Sequence, residues 1–197
     1  MAQETTDYRQ VATTLTLAQD TTNLYRYLNG PKTDIPKDID ATERRVIQYA
    51  EAGATILKAG NFDAVAVWES PGGKKVADRE KSTVESKELK EHHDKVDSVF
   101  KELHGLFGHI LVKKEGYHLA FLSKRPDSKE KGVVSGLVRP TLEKANKEGK
   151  YVYLEAIDYH AIDIYKHWGF KVVKEWVLEE GVPIAFMVLN GEGIFNL

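Results

Sequence analysis

The chain contains no cysteine. That excludes a disulfide framework, a thiolate zinc site and a thiol nucleophile. Neither charge sign is in surplus: 28 Lys and Arg against 30 Asp and Glu leave a formal net charge of −2. No global field therefore draws the chain to nucleic acid or to an anionic membrane. No apolar run approaches the roughly 20 residues that cross a bilayer. There is no N-x-[ST] acceptor and no G-x-x-x-x-G-K-[ST] triphosphate loop, and Gly132-Val133-Val134-Ser135-Gly136 places its serine one position late for a nucleophile elbow. Met1 to Gln19 lack the apolar segment of a signal peptide and include Glu4 and Asp7, which argue against a mitochondrial presequence. The expectation is a cytoplasmic protein that binds no metal, nucleic acid or membrane.

What is present is 197 residues, 42% hydrophobic and 29% charged, enough for one well-buried domain. Apolar residues at three and four spacing between Tyr8 and Leu28 predict one or two helices, stopped by Asn29-Gly30-Pro31. Asp40-Ala41-Thr42-Glu43 resembles a helix start, with a stripe from Val46 to Leu57 ending at Gly60. Phe62 to Glu69 reads as a strand closed by Ser70-Pro71-Gly72-Gly73. Lys74 to Asp94 is a charged stretch, read as a solvated loop or exposed helix, or as a flap over a site. Within it Glu91-His92-His93-Asp94 reads as a solvated charge run, because adjacent helical residues do not share a face. Val96 to Phe107 predicts an amphipathic helix; Ile110 to Lys113 is either its end or a short strand. Strands follow at Tyr117 to Ser123, Tyr151 to Ala156, Phe170 to Leu178 and Ile184 to Leu189, with helices at Gly132 to Lys147 and Asp158 to Trp168. Pro140 should kink or shorten the first of these helices. Alternating strands and helices imply a three-layer α/β (α+β) domain.

The most informative stretch is Leu119 to Gly136. An apolar run stops at Pro126, polar residues follow, and Gly132 opens a new periodic segment. A strand thus hands its carboxyl end to a helix amino terminus, where unpaired N–H groups and the helix dipole suit an anion such as phosphate.

Three ordered blocks make the chain resemble the GNAT superfamily of acetyl-CoA dependent N-acetyltransferases. The first is carried by Leu119, Leu122, Pro126, Lys129 and Gly132; the second is the strand Tyr151 to Ala156; the third is Ala161, Ile164, Tyr165, Gly169 and Phe170. Gly181 to Leu189 is similar to the family's last strand, and Ala64 to Gly73 to a fungal branch related to puromycin acetyltransferase. The resemblance implies a mixed, twisted sheet with helices on both faces, in a single domain spanning 1–197. In that domain 1–60 contribute helices to the acceptor side, 62–116 the first strands, charged loop and helix, and 117–190 the acetyl-CoA-binding core. It implies direct transfer from acetyl-CoA to a small-molecule amine in a ternary complex, by a monomer or homodimer. The alternatives are a catalytically degenerate acyl-CoA-binding protein, or a protein or peptide acetyltransferase docking its partner on the Lys74 to Asp94 segment.

On this resemblance Leu122, Ser123 and Lys124 offer main-chain groups to the pantetheine and thioester, with the N–H of Leu122 as oxyanion donor. Lys129, Glu130, Lys131, Gly132, Val133, Val134, Ser135 and Gly136 wrap the pyrophosphate, and Asp158 and Tyr165 complete the cofactor side. Lys124, Lys129 and Val134 depart from the family's usual residues. Tyr165 is the candidate general acid, or else a core tyrosine. Two groups compete as base: His118, whose imidazole titrates near neutral pH, and Glu155, acting directly or through water. Each has a structural alternative, a packed histidine and a carboxylate held by backbone N–H groups. Strand alternation would set His118 on one face with Ala120 and Leu122. Trp68 is a candidate wall of the acceptor pocket, or core.

Overall fold

The computed structural model describes residues 1–30, 34–74, 76, 86–113, 115–179 and 181–191, with the backbone alone for 108–113. Seven strands form one sheet in the order β1-β2-β3-β4-β5-β7-β6: β1 (Ala2–Glu4), β2 (Thr55–Ala59), β3 (Ala64–Glu69), β4 (Tyr117–Lys124), β5 (Val152–Ala156), β6 (Lys171–Val177) and β7 (Pro183–Leu189). The paired neighbours run antiparallel except β4 and β5, which run parallel. That exception follows from chain order, because α5 (Val133–Lys147) lies between β4 and β5 and a parallel pair needs such a crossover.

Most predicted elements form with ends shifted by a residue or two. Helices α1 (Tyr8–Gln19) and α2 (Asn23–Asn29) account for the first apolar stretch, and Gly30 closes α2 with φ 73°. The expected helix at Asp40 begins earlier. In α3 (Ile35–Glu51) the Asp34 carboxylate accepts the N–H of Lys37 at 3.2 Å, and a proline sits in the first turn. The helix also ends earlier than the apolar stripe. Ile56, Leu57 and Ala59 belong to β2, so a run that fits helical spacing is instead an edge-side strand. The short β1 has no periodic signal long enough to be legible. Helix α4 (Lys87–Lys113) takes in Ile110 to Lys113, which settles them as helix. Of the charged stretch before it, 75 and 77–85 lie outside the described residues. Helix α5 runs through Pro140 without interruption, and α6 (Tyr159–His167) starts under Asp158, whose Oδ1 accepts the N–H of Ala161 at 2.8 Å.

The layers are now clear. Helices α5 and α6 cover one sheet face, where Trp68, Leu119, Leu137, Val152, Leu154, Ile162 and Met187 are packed. Helices α1 and α3 cover the other face over Val11, Leu15, Val46, Tyr49, Val65 and Val67. Further along that face α2 and α4 bury Leu24, Val96, Leu103, Phe107, Tyr153 and Phe186. Two expectations about α4 and β3 change. His92 and His93 are not a solvated run: they bond the backbone carbonyls of Tyr27 (2.7 Å) and Leu28 (3.0 Å), tying α4 to the last turn of α2. Trp68 is 2% exposed, and its indole N–H donates to the carbonyl of Leu137 at 3.2 Å, so its work here is packing between sheet and α5.

Two glycines expose how tightly the sheet is seated. A Cβ at Gly116, just before β4, would run into the Tyr151 ring, whereas one at Gly105, on the exposed side of α4, meets nothing within 4 Å. Gly116→Ala should therefore cost about 1–3 kcal/mol through overpacking. Gly105→Ala should add about 0.5–1 kcal/mol through helix propensity. Thermal denaturation will show Tm moving in opposite directions, and a shift of the same sign for both would contradict this packing.

Candidate functional site

Strands β4 and β5 pair at only two positions, Tyr117 with Val152 and His118 with Tyr153. Beyond them the strands part, although β4 continues to Lys124 and β5 to Ala156. The cause is local. Against β3 the register of β4 jumps at Val67/Trp68, Trp68 facing Leu119 and Val67 facing Phe121, so Ala120 is an extra residue. A bulge of this kind bends its strand and increases its twist. It also breaks the alternation expected along β4: Ala120 and Phe121 both pack with the α1/α3 cluster, while Leu122 packs on the α5 side. Leu122 therefore does not share a face with His118.

At the apex of the fork stands a hydrogen-bonded trio. The His118 Nδ1–H donates to Glu69 Oε2 at 2.6 Å and the Nε2–H to Glu155 Oε2 at 2.9 Å. The three side chains are 14%, 12% and 18% exposed, respectively. The imidazole lies stacked on Tyr153, centroids 4.6 Å apart and planes 5° from parallel. With two carboxylates as acceptors, both ring nitrogens donate, which is the imidazolium form. Burial opposes that charge and is the largest single influence. Glu155, by charge and hydrogen bond, and Glu69 together outweigh it and raise the His118 pKa to about 9. Tyr49 of α3 closes this side, edge-on to Phe121 at 5.5 Å with Arg45 stacked over its ring at 4.8 Å. Burial, with the nearby Glu69 and Glu155 charges contributing and Arg45 opposing, pushes its phenol up to about 12.

His118 and Glu155, weighed from sequence as rival bases, are thus bonded to one another, and Glu155 is held by an imidazole rather than by backbone N–H groups. Glu69 was missed. Its one signal was available: like Glu155 it is a carboxylate ending an otherwise apolar strand.

The other candidates lie on the far side of the fork. Gly132 caps α5 in the left-handed region at φ 73°, and no side chain caps the helix. The first-turn N–H groups of Val133, Val134 and Ser135 are left to other partners, since the Ser135 hydroxyl donates backward to the Gly132 carbonyl at 2.9 Å. Lys129, Glu130 and Lys131 are exposed around this end, but the Glu130 N–H is already taken by Ser128 Oγ at 3.3 Å. Ser123 and Lys124 pair with Val65 and Ala64 in the sheet. Asp158 is occupied as the α6 cap. Tyr165 is half-buried, edge-on to Trp168 (5.8 Å) and Phe170 (5.7 Å), and burial, then Asp158, push its phenol pKa well up, so it is protonated at neutral pH.

Solved structures align over nearly the whole chain. A Corynebacterium glutamicum protein described as histone acetyltransferase HPA2 and related acetyltransferase is 19% identical, with a TM-score of 0.62 over 95% of this chain and 94% of its own. A putative acetyltransferase from Salmonella typhimurium, yncA, with its cofactor acetyl-CoA, is 12% identical, with a TM-score of 0.52 over 96% and 92%. The chain has the GNAT fold. The C-terminal condensation domain of Ebony, in complex with beta-alanyl-dopamine, shares this fold at 12% identity and a TM-score of 0.65 over 96% and 97%. In the GNAT region before the fork, a sequence-family model described as the YOR012W acetyl transferase domain matches residues 3–75, which include Glu69. No curated protein matches the chain by sequence.

The trio makes stability pH-dependent in a stated direction. His118 is raised from an ordinary value near 6.5 to about 9, so its contribution is complete below about 6.5 and is lost as pH rises through about 9. Denaturant unfolding from pH 6 to 10 should show wild-type stability falling across that window. His118→Gln should lack this step, so that the gap between the two proteins narrows toward pH 10.

Proposed function

We propose that the protein is an N-acetyltransferase that moves the acetyl group of acetyl-CoA to the amine of a small molecule, directly within a ternary complex. The observation that carries this is the fork: β4 and β5 separate after His118–Tyr153, and the strand that leaves β5 runs on toward the uncapped start of α5. The opening has unpaired strand edges for an extended, amide-bearing arm, and the helix start has N–H groups and a dipole for phosphate. The residues fit acetyl-CoA. Main chain of Leu122, Ser123 and Lys124 would hold the arm, and Val133 to Gly136 the pyrophosphate, with Lys129 and Lys131 adding positive charge. Gly136 has no heavy atom within 4 Å of where a Cβ would sit, which leaves room for close approach.

Acetyl-CoA supplies an activated thioester, so the chain needs to align the amine, remove its proton and return one to the leaving sulfur. The absence of cysteine agrees with direct transfer. Tyr165, protonated because burial disfavours the phenolate, is the proton donor, and the Leu122 N–H is the oxyanion donor. The carboxylate–imidazole trio supplies the base and, with two acids and one imidazolium, a net negative patch for a cationic amine. The small-molecule acceptor is favoured over a peptide because the trio's net negative charge suits a single compact cation; of the Lys74 to Asp94 segment, 75 and 77–85 lie outside the described residues. A place in the fungal puromycin-acetyltransferase-like branch, resting on Ala64 to Gly73, and a cytoplasmic location complete the proposal.

Acetyl-CoA should raise Tm by several degrees at saturating ligand, because it binds the folded state alone. Release of coenzyme A thiol should accompany acetylation of a member of a primary-amine panel. Tyr165→Phe should keep the thermal shift and lose on the order of 10²-fold in kcat. No shift at millimolar acetyl-CoA would rule the proposal out; a shift without turnover by any amine would leave a binding protein.

A further inference from the structure

Resting on the acetyl-transfer reading, we infer that Glu69 is a positioning residue that fixes the tautomer of His118, so that Glu155 and His118 together take the proton of a cationic amine acceptor.

The geometry is directional. Glu69 ends β3 directly across from His118, and its Oε2 takes the Nδ1–H at 2.6 Å. When the imidazole is neutral, that bond keeps the remaining proton on Nδ1 and leaves the Nε2 lone pair facing Glu155. Stacking on Tyr153 resists rotation of the ring out of this line. Glu155 reaches His118 through Oε2; its Oε1 has no hydrogen-bond partner among the described residues, on a side chain 18% exposed. An ammonium group can therefore give its proton to the Glu155 carboxylate, which on turning delivers that same proton to the Nε2 lone pair of neutral His118. The charged and titratable groups facing the imidazole are Glu69 from β3, Glu155 and Tyr153 from β5, and Tyr49 from α3 with Arg45 over its ring. Fully ionised, the three members of the trio sum to one negative charge, which suits a single cation.

The proton count closes. The ammonium gives one proton to the Glu155–His118 pair and the neutral amine attacks the thioester carbonyl carbon. A C–N bond forms and the C–S bond breaks, its electron pair leaving on sulfur, which takes the Tyr165 proton. The second amine proton restores Tyr165, and the first passes from the trio to solvent, so each turnover releases one proton. Each turnover thus needs His118 to have lost its own proton beforehand, which sets the activity on the alkaline side.

Glu69→Gln keeps the shape but neither the charge nor the obligatory acceptor. For one amine, so that the acceptor's own titration is common to both proteins, wild-type kcat/KM should rise through about pH 9, the value to which His118 is raised. In Glu69→Gln the midpoint should move toward the ordinary imidazole value, about 6.5, and the limiting kcat should fall on the order of 10²-fold. The thermal shift with acetyl-CoA should be unchanged. The ring Cε1–Hε1 NMR signal of His118, assigned by its loss in His118→Gln, should show the same displacement without any turnover. An NMR midpoint identical in wild type and Glu69→Gln would overturn the role of Glu69. A displaced NMR midpoint with an undisplaced kcat/KM profile would overturn the trio as proton acceptor. Absence of turnover by wild type, with the NMR displacement intact, would instead count against acetyl transfer itself and sink the relay with it, leaving only the clamp between Glu69 and His118.

Discussion

The extra residue in β4 is the constraint on which the rest of this structure depends. Without it β4 and β5 would continue to pair past His118, as parallel neighbours with an intervening helix ordinarily do. The bulge at Ala120 turns β4 away and leaves strand edges unpaired in the middle of a sheet. An unpaired edge is a liability, and buried peptide groups left without partners cost about 1–3 kcal/mol each. The surrounding packing offsets this: α5 and α6 seal one side over Leu137, Val152 and Ile162, and α1 and α3 seal the other over Val65, Val67 and Tyr49. The sheet is packed on both faces around the place where β4 and β5 part.

The bulge also sorts side chains between the two halves of the site. Before it, alternation sends His118 to the α3 side, in line with Glu69 and Glu155. After it, Leu122 faces the α5 side. A single irregularity thus separates an acidic, aromatic-walled side from a side with an uncapped helix start. Opposite electrostatics on the two sides follow from the backbone rather than from any concentration of charge in the chain, whose net charge is only −2.

This explains what was legible in sequence and what was not. Strand–helix alternation after Tyr117 and the polar junction before α5 are local patterns, and both came out within a residue or two. The stripe Ala54 to Leu57 misled because Ile56 and Leu57 serve equally as helix or strand until β3 lies beside them. The bulge has no composition of its own: Leu-Ala-Phe-Leu reads as uninterrupted strand, so the alternation rule put Leu122 on the wrong face. The Glu69 carboxylate was legible at the end of its strand, but its partner was not, for a related reason. Its meaning comes from a register partner 49 positions away, and the strand that carries it reads as ordinary core. Sequence patterns identify the groups that a motif places together; they do not identify those joined by pairing across a sheet.

The trio itself argues for function over stability. Two carboxylates and an imidazolium, each under a fifth exposed, gain by mutual attraction roughly what they lose by leaving water, and well-packed apolar residues in their place are often as stable or more so. The Tyr153 stack and the Tyr49 wall intensify both sides of that comparison by lowering the local dielectric. What apolar residues cannot reproduce is a group that is charged at rest yet gives up and regains a proton within a pH unit or two of the cell's own. Placed at the apex of the fork, such a group meets one of the demands of the proposed acetyl transfer: a destination for the proton of the incoming amine.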